Sequence, residues 1–201
     1  MITQSFLYNA IFFTYALVLQ DLYHIPTGST ALYFFPFAIG DLAGPLILGH
    51  LFDVWGRRKM IFSTYVIAAA VLGVSAVLFS VGALNATTQT IFWCVSFFFA
   101  SAGASSAYLT GSKPFPLELR SRAISYFFSL GQLFGALGPV VYGALIGKGE
   151  DRGPLTGGYF LGAGIMILGG VVALIFGTNA ERQSLEDVAE PLSVGASDTG
   201  R

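Results

Sequence analysis

The stretch GHLFDVWGRRK, residues 49–59, sets Asp53, Arg57, Arg58 and Lys59 within seven positions. The chain on either side is almost free of charge. Asp41 is the one charged residue between 22 and 52, and the 53 residues from Met60 to Ser112 contain none. A helix crosses the hydrocarbon core with about 20 apolar residues. The second run therefore holds two crossings, and the charged stretch reads as a short polar connection between membrane spans.

Composition points the same way. Of 201 residues, 54% are hydrophobic and only 10% are charged, against about a quarter charged in soluble domains. Such a chain cannot cover a water-facing surface, so its solvent is lipid. A net charge of −1 argues against a nucleic-acid partner. The single cysteine, Cys94, can form no internal disulfide. Met1 opens into apolar sequence with no basic segment and no small-residue cleavage site before Asp21, so no removable signal peptide is expected.

Six spans are expected: about 3–21, about 29–52, two between 60 and 112 separated at GALNATT (82–88), 123–147, and about 155–177. The connections at 53–59 and 113–122 and the tail after 178 carry Arg57, Arg58, Lys59, Lys113, Arg120, Arg122, Arg182 and Arg201. The opposite connections carry Lys148 and Arg152. Eight cations against two orient the first set to the cytoplasm. Residues 1–177 thus read as one transmembrane domain in the plasma (inner) membrane, and 178–201 as a flexible cytoplasmic tail.

The connection has its own logic. Arg57, Arg58 and Lys59 suit a helix C-terminus and anionic headgroups, and Gly49 and Gly56 would let neighbouring backbones approach. Asp53 opposes the dipole of the helix it ends, unless it faces a guanidinium or another helix's N-terminus. The second span contains GPLILG (44–49) and the fifth GPVVYG (138–143). The correspondence is that of two three-helix units, inverted in the membrane, a recurring architecture of secondary transporters.

Gly49, Asp53, Gly56, Arg57, Arg58 and Lys59 together resemble the signature loop after the second helix of each half of a major facilitator superfamily transporter. PFPLELRSRAIS (114–125), with Glu118, Arg120 and Arg122, resembles that family's Phe-Pro-x-Glu-x-Arg segment. Gln4 and Asn9, followed by Ala10, resemble the Gln-x4-Asn-Ala pattern in helix 7 of its sugar porters. The resemblance covers residues 1–177 and corresponds to helices 7–12, the carboxy-terminal half, with the first helix truncated. Lys113 stands where many relatives have a carboxylate, and Tyr108 where sugar porters have Trp.

The resemblance implies alternating access, with a solute held between this half and an amino-terminal six-helix half or a second copy. It also implies a charge cluster of Asp53, Arg57, Glu118 and Arg120 that holds one conformation closed. The implied class is a symporter of sugars or other small polar metabolites, with no cofactor and no metal. Asp41 is acidic and about 18 Å deeper than Asp53 at 1.5 Å per residue. A carboxylate at that depth is costly when charged, which suits it to take up and release a proton or, alternatively, to tie helices together. Gln4, Tyr8, Asn9, Tyr15 and Gln132 are candidates for binding a polar solute, or for gluing helices to each other. Spaced glycines (40/44, 131/135, 143/147, 158/162) read as helix packing, with bends at Pro45 and Pro139 secondary. No phosphate loop supports ATP-driven transport, and no Ser with a His at its depth supports an intramembrane enzyme. The competing reading is a non-transporting fragment or accessory membrane subunit.

Overall fold

The computed structural model describes residues 1–112, 115–147 and 151–177. Lys113, Lys148 and the tail 178–201 lie outside the described residues. Within them the chain is all-helical: α1 (Ile2–Leu17), α2 (Thr27–Val54), α3 (Arg57–Ser80), α4 (Ala86–Ser112), α5 (Leu117–Gly135), α6 (Leu137–Ile146) and α7 (Gly153–Phe176). Val18–Leu22 continues α1 as a wider π-helical turn, and α5 and α6 form one crossing interrupted at Ala136. Six helices are long and apolar enough to span a bilayer, as the charge-free runs predict. The fifth begins at Glu118 rather than near 123.

Local chemistry explains the ends and breaks. GALNATT turns because Asn85 and Thr88 cap α4 reciprocally. The Thr88 amide donates to Asn85 Oδ1 at 2.8 Å, and the Asn85 amide to Thr88 Oγ at 2.9 Å. Such side-chain acceptors satisfy amides that begin a helix without partners. The fifth span breaks three residues before Pro139, which has no N–H for the carbonyl of Gly135. By contrast, α2 runs on through Pro36 and Pro45.

The helices pack in matched pairs. The first span lies against the fifth, the second against the fourth, and the third against the sixth and fourth. Glycines set the closest seams. A Cβ on Gly44 would strike the Phe98 carbonyl of α4, and one on Gly138 would stand 2.5 Å from the Phe6 carbonyl of α1. Gly40, Gly131, Gly135, Gly158 and Gly162 are also tightly covered, as expected for helix packing. Gly143 faces open space, and Gly147 serves a turn with φ +56°. Between the seams runs an aromatic core in which Tyr15, Phe37, Trp93, Phe97 and Tyr159 stack edge-on or tilted. The run YFFPF divides between this core and the outside: Phe37 is buried, whereas Phe35 is 67% exposed.

At the face opposite the charged connections, Arg152 closes the bundle. Its guanidinium lies over Tyr23 (5.8 Å) and Phe79 (5.3 Å) and donates to the Phe79 carbonyl at 3.4 Å. Burial, opposed by Arg152, pushes the Tyr23 hydroxyl up to about 12. It therefore remains a donor to Gln89 Oε1, 3.2 Å away.

Gly44→Ala and Gly143→Ala separate packing from propensity. The first should lose about 1–3 kcal/mol through overpacking, read as a lower thermal midpoint of the solubilised chain. The second should be neutral or slightly stabilised, because alanine favours helix and its methyl meets open space.

Candidate solute site

Consecutive residues of α1 reach two different helices. Tyr8 turns its hydroxyl to Asp41 Oδ2 of α2, 3.5 Å away, at the outer limit of a hydrogen bond. Asn9 donates from Nδ2 to Gln132 Oε1 of α5 at 2.9 Å. Asp41 and Gln132 each occupy the middle of their crossing, Thr27–Val54 and Glu118–Ile146. A band of polar groups thus runs Asp41–Tyr8–Asn9–Gln132 across three helices at one depth. Gln4 lies half-buried one turn before Tyr8.

Asp41 stands at one end of this band. Its Oδ1 is buried without a hydrogen-bond partner among the described residues. Its main-chain carbonyl is also special, because Pro45, four residues on, cannot donate to it. Ser101 Oγ of α4 donates instead, at 2.8 Å. A cleft of about 460 Å³ opens beside the carboxylate, lined by Tyr8, Phe12, Phe37, Pro45, Ser101 and Ser105 among others.

Tyr15 does not share the cleft. It is 0% exposed, and its hydroxyl lies 3.1 Å from the Tyr33 carbonyl, to which it donates, and 2.7 Å from Thr90 Oγ1. Of the two roles open to it in sequence, the geometry favours tying α1 to α2 and α4.

The charged connection differs from its sequence reading in one respect. Arg57, Arg58 and Lys59 do not end the second span; they open the third, where the dipole opposes cations. The structure compensates two of them. Arg57 pairs with Asp53 at 3.0 Å, so the carboxylate that ends α2 meets the guanidinium that begins α3. Arg58 crosses to the far end of the bundle sequence and donates to the carbonyls of Leu174 and Ile175, at the C-terminus of α7. Lys59 is exposed, as is Arg122. Gly56 has φ +95°, a conformation that a side chain would strain. Gly49 has nothing within 4 Å of a would-be Cβ among the described residues, so it is not a packing glycine. On α5, Glu118 is exposed in the first turn, where a carboxylate complements the dipole. Arg120 donates to the Phe115 carbonyl at 3.3 Å.

The sequence matches the Major Facilitator Superfamily over residues 1–196. The chain belongs to that superfamily. It is a polytopic α-helical protein of a transporter family, not an enzyme. Comparison with curated proteins gave no match. Among the described residues, no three His, Cys, Asp or Glu side chains gather as metal ligands would.

One correspondence within this superfamily chain escaped the reading of GPLILG against GPVVYG. GDLAG (40–44) and GQLFG (131–135) also match, and they pair Asp41 with Gln132. In the second span the two patterns overlap at Gly44. In the fifth the second pattern starts three positions later, with Ala136 and Leu137 between the two, and the helix breaks at Ala136. Gly40 and Gly44 seat on α4, and Gly131 and Gly135 seat on α1. Comparing short windows of the second and fifth spans would have matched Gln132, already a candidate, to Asp41 directly.

Four substitutions test these contacts. Asn9→Leu and Gln132→Leu, alone and combined, should show a coupling near the roughly 0.6 kcal/mol average for hydrogen bonds within membranes, read by unfolding in mixed micelles. Arg58→Ala should cost about 1.5–3 kcal/mol, as for a hydrogen bond from a charged donor, while Lys59→Ala should leave the midpoint unchanged.

Proposed function

We propose that this chain forms the carboxy-terminal six-helix half of a proton-coupled transporter that moves a small polar solute by alternating access. The observation that carries this reading is the carboxylate of Asp41. It sits at mid-span beside a cleft, with one oxygen facing Tyr8 and the other without a hydrogen-bond partner among the described residues. A charged carboxylate so placed is strongly disfavoured and a protonated one is not. Asp41 is therefore the proton carrier, and Tyr8, Gln4, Asn9 and Gln132 supply the donors and acceptors that a sugar or organic-acid-like metabolite requires.

The inverted three-helix repeat belongs to the same proposal. It is supported by the pairing of first span with fifth and second with fourth, and by the two copies of the glycine pattern. So does a partner six-helix unit, either an amino-terminal half or a second copy. α2 buries only Thr30, Phe37, Gly44 and Phe52, and Leu32, Ile39, Leu42 and Leu46 are each about two-thirds exposed or more. The eight-to-two division of cations supports a plasma-membrane orientation with Asp53, Arg57, Glu118 and Arg120 at the cytoplasmic side, acting as a gate.

Solute-dependent pH change in proteoliposomes, with the chain joined to its partner half and a panel of metabolites, tests the reading. Asp41→Asn should abolish the proton signal while solute exchange persists, and Gln132→Ala should raise the KM about tenfold or more, as for loss of a buried hydrogen bond. Uptake with an unchanged proton signal in Asp41→Asn would leave a transporter without this carrier. Absence of any transport would favour the accessory-subunit reading.

A further inference from the structure

The carrier role raises a question of access: by what route does a proton reach a carboxylate in the middle of the membrane? On α2, Asp41, Pro45, Gly49 and Asp53 recur every fourth residue, which sets them along one gently winding stripe of the helix. The two carboxylates are its ends. Between them stand a residue without an N–H and a residue without a side chain. Ser101 and Ser105, likewise four apart, lie on the facing helix α4.

Space follows this stripe. A second cleft, of about 190 Å³, neighbours the one beside Asp41 and is lined by Gly49, Phe52, Asp53, Arg57, Ser105 and Ser106 among others. The two share Pro45 and Ser105. Each is far larger than the roughly 30 Å³ that a water occupies in the liquid. Gly49 has open space where a side chain would stand, so any larger residue would project into the second cleft. The seam is tight at Gly40 and Gly44, whose Cβ positions meet α4, and the two clefts lie along the neighbouring stripe that carries Asp41, Pro45, Gly49 and Asp53.

We propose that the α2–α4 seam is a water-filled proton path from the Asp53–Arg57 pair to Asp41, that Gly49 keeps it open, and that Ser105 bridges its two chambers. The proposal rests on the carrier reading of Asp41. A hydronium ion in the path gives its proton to the Asp41 carboxylate, leaving water and a neutral carboxyl group, and the reverse transfer returns it. Tyr8 is the titratable side chain against Asp41, and Asp53 and Arg57 are the charged groups along the path. A serine hydroxyl both donates and accepts, so Ser105 suits a position where water chains must join.

Accessibility to a charged thiol reagent tests the path without requiring transport. In a Cys94→Ala background, single cysteines replace Ser105 and, for comparison, Val74, which is 52% exposed on the apolar surface of α3. A membrane-impermeant cationic methanethiosulfonate is applied to right-side-out and inside-out vesicles. The thiolate is the reactive species and forms poorly in apolar surroundings, so Ser105→Cys should react at least about tenfold faster than Val74→Cys. It should do so only from the side that bears Arg57 to Lys59. Adding Gly49→Leu should bring the rate down to that of Val74→Cys, whereas Gly49→Ala should leave most of it.

Labelling of Ser105→Cys no faster than Val74→Cys, or equal labelling from both sides, would overturn the path. So would a rate indifferent to Gly49→Leu in a chain that still folds. Labelling as expected, in a transporter whose Asp41→Asn variant keeps its proton signal, would uphold water access along the seam and refute the carrier instead.

Discussion

Pro45 has no amide hydrogen for the carbonyl of Asp41, and that absence organises the middle of the bundle. In hydrocarbon no solvent stands ready to repair a missing main-chain hydrogen bond, so a neighbouring helix must. Ser101 of α4 does so at 2.8 Å. The repair requires α4 to lie close to α2, and Gly44 and Gly40 provide that closeness by offering no Cβ. The register of α2 on α4 follows, and with it the position of the Asp41 side chain opposite Tyr8. A missing main-chain hydrogen bond in one helix, a hydroxyl on another and two glycines are thus parts of one requirement.

The fifth span meets the same requirement differently. It too has a glycine–proline pair and two glycines a turn apart, but the second pattern starts three positions later and the helix is interrupted there. Three residues are nearly a full turn, so the face that carries Gln132 is almost preserved while the helix below it is displaced along its axis. The result is a polar residue at mid-depth on either side of α1. On one side it is a carboxylate, able to change charge, and on the other an amide, able only to hydrogen-bond. A site needs both when a proton and a polar solute bind close together.

How much of this the sequence discloses depends on the range of the physics involved. Spans and turns are local, written in apolar runs and in pairs such as Asn85 and Thr88, and they read directly. The depth of Asp41 follows from counting residues. What distant residues do together does not. Tyr15 is indistinguishable from Tyr8 in sequence, yet one is sealed between Tyr33 and Thr90 and the other faces a cleft. Arg58 is one cation among three until α7 brings its last carbonyls within reach. Gly49 and Gly44 look alike as small residues, and only the neighbouring helix distinguishes a glycine that admits a backbone from one that borders a space.

Magnitudes decide where the driving force of a gate would lie. The Asp53–Arg57 pair is four residues apart across a turn, with the Asp53 side chain 57% exposed and that of Arg57 13%. With its carboxylate open to solvent, such a pair contributes on the order of 1 kcal/mol. Moving a two-state equilibrium from 1:99 to 99:1 takes about 5.5 kcal/mol. That pair alone therefore adjusts a conformational balance several-fold and cannot reverse it. The penalty for a charged carboxylate at mid-membrane is several kcal/mol, which is the right size. In the proposed cycle the protonation of Asp41 supplies the larger bias, and the charge pair at the end of the same helical stripe sets the point from which that bias acts.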